Sequence, residues 1–89
     1  MNEDEFRQQL SAGGYAEPRL VEMSPNTFNG THTHDFSAFL FLLDGEITVS
    51  TDEGRTVTCR PGDTFALPAN TPHTERVGPS GVRFLAGRR

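Results

Sequence analysis

Turn-forming sequences recur roughly every ten residues through the second half of the chain, and they constrain the fold more than any other feature. The sequences DG (residues 44–45), DEG (52–54) and PGD (61–63) separate short runs that are rich in β-branched and aromatic residues. Such spacing is typical of a β-sandwich or a small barrel. The 89 residues are therefore predicted to form one all-β domain, with no room for a second.

The segments between these turns are the predicted strands. The first is RLVEM (19–23), followed by a predicted loop, NTFNG (26–30), and by the longest extended run, THTHDFSAFLFLL (31–43). The DG pair is predicted to close a hairpin between that run and the next strand. The later strands are EITVST (46–51), RTVTCR (55–60), TFALP (64–68), HTERV (73–77) and VRFLA (82–86).

One helix is predicted, over residues 2–12. Asn2 is a suitable N-cap, and Glu5 completes a capping-box pattern with it. Phe6 and Leu10 form an apolar stripe that is too narrow for a core helix, so the helix is expected on the outside of a sheet or on a second subunit. Residues 1–18 are thus expected to form a helix and linker, and residues 19–87 a barrel.

The two faces of the 31–43 run differ in what they carry. Alternation places His32, His34, Phe36, Ala38, Leu40 and Leu42 on one face, which is predicted to point into the core together with Ile47, Val49, Phe65 and Leu67. The other face carries Phe39, Phe41 and Leu43 and needs a cover, either the helix or a partner. Because so small a domain buries little surface by itself, a homodimer is expected.

Composition excludes several functional classes. The net charge is −4 and the basic residues are scattered arginines, so nucleic-acid binding is not expected. No apolar run is long enough to span a membrane, and the acidic start MNEDEF does not resemble a signal peptide. A cytoplasmic location is therefore expected. The single cysteine, Cys59, is interpreted either as a thiol in a pocket or, with more weight, as a small buried apolar side chain.

The candidate chemistry lies in the three histidines of the chain. His32 and His34 are two residues apart, so on an extended strand their side chains point the same way and can converge on one ion. His73 follows Pro72 at the start of a later predicted strand. Imidazole nitrogen is a good ligand for zinc, iron, nickel and copper. A pair of unrelated surface histidines is the alternative for residues 32 and 34 taken alone.

Two stretches around these histidines match a known pattern. The first contains Gly30, His32, His34 and Gly45; the second runs from Pro61-Gly62-Asp63 through Pro68 and Asn70 to Pro72-His73. Together they resemble the two conserved motifs of the cupin family. The resemblance implies a cupin or jelly-roll β-barrel, a metal held by His32, His34 and His73, and a small-molecule ligand inside the barrel.

The sequence departs from the family pattern at one ligand position. Where the first motif usually has a metal-binding Glu, this chain has Ala38. Glu75 shares a face with His73 and is the preferred replacement, as an additional ligand or as an acid/base; Asp35 ranks below it because it is predicted to point outward. A site poor in acids favours Zn, Fe, Ni or Cu over manganese.

Besides a stable structural barrel whose site is empty, two functions remain open from the sequence. One is a metal-dependent enzyme on a small molecule, such as a dioxygenase or an isomerase. The alternative is a non-catalytic module that binds or senses a small ligand and works through a partner protein. A fold that hosts so many chemistries does not choose between them.

Overall fold

The computed structural model describes all residues, 1–89. The elements are α1 (Glu3–Ala12), β1 (Arg19–Met23), β2 (Phe28–His32), β3 (Ala38–Thr51), β4 (Thr56–Cys59), β5 (Thr64–Leu67) and β6 (His73–Arg88). All strand pairs are antiparallel. This arrangement confirms the prediction of an all-β fold with a short N-terminal helix. The helix has 10 residues, and none of the structure's helices is long and apolar enough to cross a membrane.

Two long strands, β3 and β6, organise the fold because they pair with each other along their whole lengths. The first half of β3 also pairs with β5, and the second half of β6 pairs with β1. The second half of β3 also pairs with β4, and the first half of β6 pairs with β2. The six strands therefore form two four-stranded layers that share β3 and β6, as expected of a jelly roll. One layer also contains β1 and β5, and the other also contains β2 and β4.

The core lies between these two layers. It is a cluster of 12 buried residues, in which Leu42 and Ile47 have no exposed surface. The predicted core residues Leu40, Leu42, Ile47, Val49, Phe65 and Leu67 all belong to it, and Phe36 packs against it half-buried. The alternation in the sequence thus identified the inward face correctly.

The hairpin predicted at Asp44-Gly45 is wrong. Leu42 pairs with Phe84 and Ile47 pairs with Val77, so both sides of the pair continue along the same partner strand. The register shifts around the pair, which makes it a bulge within β3. Gly45 has φ +74° there, and a Cβ at this position would clash with the carbonyl oxygen of Gly81. The positive φ that favours Gly in a tight turn is used instead to bend a continuous strand.

A bend in β6, at the level of the bulge in β3, joins two segments that were predicted as separate strands. Residues 73–77 and 82–86 both belong to β6, and residues 78–81 bulge out between them. Gly45 and Ile47 of β3 pair with Val82 and Val77 of β6, so the one β3 residue between them lies opposite residues 78–81 of β6. The insertion in β6 is therefore longer than the insertion in β3. The two long strands therefore bend at the same level, which is how each strand serves both layers.

The predicted strand 31–43 is two strands, and the predicted loop 26–30 is partly strand. Phe28 and Asn29 pair with Arg76 and Glu75, so β2 begins at residue 28 and ends at His32. Residues 33–37 are not strand; they cross from the layer that contains β2 to the layer that contains the start of β3. Local alternation could not show this crossing, because the inward-facing residues continue on the same side through it.

The outer face of β3 is covered by α1. Asn2 and Glu5 form the predicted capping box, with the Glu5 amide donating to Asn2 Oδ1 at 2.8 Å and the Asn2 amide donating to Glu5 Oε1 at 3.2 Å. Phe6, which is fully buried, lies 5.1 Å from Phe39 and 5.3 Å from Phe41 between ring centroids. The helix, rather than a partner, therefore covers these phenylalanines.

Candidate metal centre and adjoining cavity

Three separate parts of the chain bring the histidines together. His32, the last residue of β2, is directly paired with His73, the first residue of β6. His34 lies in the crossing segment 33–37, and its carbonyl oxygen accepts a hydrogen bond from the Asn70 amide at 2.7 Å. Asn70 adopts φ 62°, a conformation that Asn tolerates better than most residues. The turn before His73 therefore holds the segment that carries His34.

The three imidazole rings form a compact cluster. The centroid of His73 lies 4.3 Å from that of His32 and 5.2 Å from that of His34, and the latter two are 4.9 Å apart. One ring nitrogen from each histidine can be chosen so that all three lie within 4.8 Å of one another. Histidine binds zinc at about 2.0–2.1 Å, so the rings would have to rotate inward to bring all three nitrogens onto one ion.

Hydrogen bonds define which ring nitrogen is free. Nδ1 of His32 donates to the Gly30 carbonyl at 2.7 Å, and Nδ1 of His73 donates to the Thr71 carbonyl at 2.8 Å. A carbonyl can only accept, so Nδ1 carries the proton and Nε2 of the neutral ring has a lone pair. This arrangement is common for histidines that bind metals, since it orients the ring and fixes the tautomer.

The strongest indication of a cation site in the cluster comes from the Nε2 atom of His73. His73 is 1% exposed, and its Nε2 has no hydrogen-bond partner. A buried polar atom without a partner costs about 1–3 kcal/mol. A ring nitrogen of His73 lies within 4.8 Å of ring nitrogens of the other two histidines, so a cation bound among the rings would satisfy it.

Glu75 lies beside the cluster on the inward face of β6. Its Oε1 is 3.4 Å from Nε2 of His32, and it accepts a hydrogen bond from the Asn29 side-chain amide at 3.2 Å. With the proton on Nδ1, the His32 lone pair and the carboxylate oxygen would face each other as two acceptors. A cation between them, either a proton or a metal ion, removes that conflict.

The environment of His34 favours its neutral form. Burial lowers the pKa of His34 from its ordinary value of 6.5, and the neighbouring His32 and His73 lower the pKa further. Glu75 acts in the opposite direction, and Arg88 adds to the lowering. Only neutral imidazole can bind a metal, so these neighbours favour the form of His34 that a metal would require.

An apolar cavity of about 250 Å³ adjoins the histidines. Eight of its twelve lining residues are apolar, among them Phe36, Leu40 and Phe84. The four polar ones are His34, His73, Glu75 and Arg88. An apolar space with a few convergent polar groups is the usual form of a small-molecule site.

The other residues considered from the sequence lie elsewhere or contribute no ligand. Asp35 is exposed and does not belong to the cluster. Ala38 lines the cavity, so no carboxylate comes from that position. Cys59 is 1% exposed in the core and does not line the cavity. Burial and the nearby Asp63 raise the pKa of the Cys59 thiol, while Arg55 lowers it, so the thiol is an apolar core group rather than a nucleophile.

A sequence model described as "Cupin domain" matches residues 19–86, which is most of the chain. The chain belongs to the cupin family. No curated protein sequence matches this cupin significantly.

Solved structures of similar fold include enzymes and proteins without a stated activity. The DMSP lyase DddQ from Ruegeria pomeroyi DSS-3 aligns with a TM-score of 0.71 and 24% identity, over 79% of this chain and 36% of the lyase. KdgF from Halomonas sp. aligns with a TM-score of 0.64 and 21% identity, over 78% of this chain and 64% of KdgF. This cupin thus spans only part of each, and at such identity the likeness concerns the fold.

One similar structure has nearly the same length as this cupin. Protein NMB1881 from Neisseria meningitidis aligns with a TM-score of 0.65 and 24% identity, over 93% of this chain and 95% of that protein. A barrel of this size therefore occurs in at least one other solved protein.

Two residues of the site were not singled out from the sequence, Asn29 and Arg88. Asn29 fell in the segment that was predicted as a loop, and only its pairing with Glu75 shows its role. Arg88 did leave a signal, since alternation along the last strand places it on the same face as Phe84 and Ala86.

Proposed function

We propose that this cupin binds a divalent transition metal through His32, His34 and His73. The observation that carries the proposal is the buried Nε2 of His73, which lacks a partner while its ring is held by the Thr71 carbonyl. Three imidazoles with open remaining positions suit zinc, iron, nickel or copper. A site with one nearby carboxylate disfavours manganese, which prefers oxygen ligands.

Glu75 is proposed as an additional ligand or as the acid/base of the site. Its Oε1 is close enough to His32 to share a cation with it, and the Asn29 amide holds the carboxylate in place. If a substrate occupies the cavity, Glu75 also lines that space, so its carboxylate can take up or return a proton there.

The catalytic form of the proposal is a dioxygenase or an isomerase that acts on a small molecule. A metal in this position would act as a Lewis acid next to the cavity. The apolar walls exclude water around the substrate, Phe36 and Phe84 shape the space, and Glu75 handles the proton. The DMSP lyase among the similar structures shows that a related barrel can serve an enzyme.

A non-catalytic module that senses a small ligand and works through a partner protein is the second candidate. The hydrogen bond to Glu75 favours it, because the acid that lines the cavity is already held by the Asn29 side-chain amide. The two candidates share the metal and the ligand, and they differ in whether the ligand leaves the cavity changed.

Elemental analysis of untagged protein tests the metal directly. We expect about one equivalent of zinc, iron, nickel or copper in the wild type and little in His34→Ala. The matched control is Asp35→Ala, which changes the adjacent exposed residue and leaves the cluster intact. Equal metal content in wild type and His34→Ala, or none after reloading, would refute the metal centre. In either case the metal-free sensing module would become the preferred function.

A homodimer stays a prediction. The face of β3 from which it was argued is covered by α1 within one chain, and Phe41 is only 6% exposed. Sedimentation equilibrium of the wild type is the measurement that decides the oligomeric state.

A further inference from the structure

Arg88 is the arginine that lines the cavity, and the fold places it there by strand pairing. It lies directly opposite Ala38 in the β3–β6 ladder. Its guanidinium carbon is 4.3 Å from the centroid of the Phe36 ring, another residue of the cavity wall. A guanidinium that packs its face on an aromatic ring keeps the N–H groups at its edge free to bind an anion.

The charge of Arg88 has no partner in the protein. The arginines that form ion pairs are Arg7, Arg60 and Arg83. The acid that lines the cavity, Glu75, accepts a hydrogen bond from Asn29 and forms no ion pair with Arg88. Ala38, the cross-strand neighbour of Arg88, offers no carboxylate. Arg88 is itself exposed, which places it at the rim of the cavity.

A metal in the histidine cluster would leave the site with an excess of positive charge. Three neutral histidines add nothing, Glu75 supplies one negative charge, and Arg88 adds one positive charge to the two of a divalent ion. Charges next to apolar walls are costly unless an opposite charge meets them. The cavity wall provides no further acid, so an anionic ligand would offset this positive charge.

We propose that the ligand of this cupin is a small organic carboxylate. The inference rests on the proposed metal centre and names the class of molecule that the centre would receive. The carboxylate lies between the histidine cluster and Arg88, and the apolar part of the molecule fills the cavity. A planar guanidinium matches the two oxygens of a carboxylate.

The size of the cavity limits the ligand. A volume of about 250 Å³ would hold about eight water molecules at the density of the liquid. The ligand therefore has on the order of ten non-hydrogen atoms. Short-chain aliphatic acids and single-ring aromatic acids fall in this range.

The test compares acids with their amides on zinc-loaded protein. Butyrate and benzoate are the charged probes, and butyramide and benzamide are neutral probes of the same shape. Calorimetry or ligand-observed NMR gives each affinity. We expect at least one acid to bind at least about tenfold more tightly than its amide, the loss expected when one charged hydrogen-bond pair is removed.

Variants locate the preference at Arg88. Arg88→Gln reduces the preference for the acid, because only the metal then meets the negative charge, whereas Arg83→Gln, on the same strand but paired with Glu22, retains it in full. Ala38→Glu places a carboxylate opposite Arg88 and also reduces the preference, while Ala38→Gln fills the same volume without the charge and retains more of it. If both acids bind no better than their amides, or if Arg83→Gln has the effect of Arg88→Gln, the inference is overturned.

The zinc content of each sample separates this inference from the metal centre. Zinc bound through the histidines without any preference for acids overturns only the carboxylate inference. A preference for acids that depends on Arg88 in protein unable to bind zinc supports the arginine site and overturns the metal centre. Failure of both measurements overturns both.

Discussion

Replacing His73 with leucine is expected to have opposite consequences with and without metal. In the metal-free protein, His73 buries an Nε2 atom without a partner, at a cost of about 1–3 kcal/mol. Leucine removes that cost but also removes the hydrogen bond from Nδ1 to the Thr71 carbonyl, which is worth about 0.5–1.5 kcal/mol. The metal-free variant should therefore be about as stable as the wild type, or slightly more stable.

In the presence of metal, the wild type should be more stable than His73→Leu. At a free metal concentration of about 100 times the Kd, binding stabilises the wild type by about 2.7 kcal/mol. Loss of one ligand should weaken binding at least about tenfold, which reduces the stabilisation to about 1.4 kcal/mol or less. For a domain of this size 1 kcal/mol corresponds to about 4–8 °C in Tm. The wild type should therefore gain about 10 °C or more on loading with zinc, and His73→Leu clearly less.

The assay is thermal unfolding followed by circular dichroism, with excess chelator and with a zinc titration. Thr74→Val is the matched control, because Thr74 is the next residue of β6 and does not line the cavity. An equal zinc-induced shift in wild type and His73→Leu would contradict the role given to His73. A large loss of stability in the chelated variant would contradict the cost assigned to its buried nitrogen.

Three further perturbations test other parts of the structure. Glu75→Gln keeps an acceptor for the Asn29 amide but loses the negative charge. The Kd for the metal, measured in a competition titration, should therefore rise about tenfold. Glu22 is exposed, so Glu22→Gln should leave this Kd unchanged. The pKa of His34 in the folded protein lies below its ordinary value of 6.5. The metal-free protein should therefore keep its full stability above about pH 6.5 and lose part of it as the pH falls below that value. Urea unfolding should show a smaller loss of stability in His34→Gln, and equal losses in the two proteins would contradict the lowered pKa of His34. Phe6→Ala should cost about 3–5 kcal/mol in urea unfolding, because the side chain is fully buried between α1 and β3, yet the zinc affinity should stay unchanged; a cost below about 1 kcal/mol would show that the helix is not a fixed part of the domain.

Local features of the structure were predictable because their causes are local. The capping box of α1 depends on residues three positions apart, and it forms as predicted. The inward face of β3 follows from alternation, which is a property of any extended strand. The turn at residues 60–63 also follows from its sequence, since Asp63 Oδ2 accepts from the Arg60 amide at 2.9 Å.

The errors concern pairing between distant segments. The DG pair has the right residues for a hairpin, but the long partner β6 passes both sides of it and turns it into a bulge. The interruption at residues 33–37 has the same origin, since β2 and the start of β3 belong to different layers. No pattern within a few residues reports which strand lies alongside, so these features could not be predicted from periodicity.

The sequence by itself determined the fold class, the family motifs and the three candidate ligands, because each is encoded in short-range spacing. Only the tertiary structure decided which further side chains lie around those three histidines. Pairing of β2 with β6 brings Asn29 and Glu75 together, and pairing of β3 with β6 sets Arg88 opposite Ala38. These contacts join residues that are far apart in the chain, and their geometry depends on strand register, a long-range property that composition and periodicity do not contain.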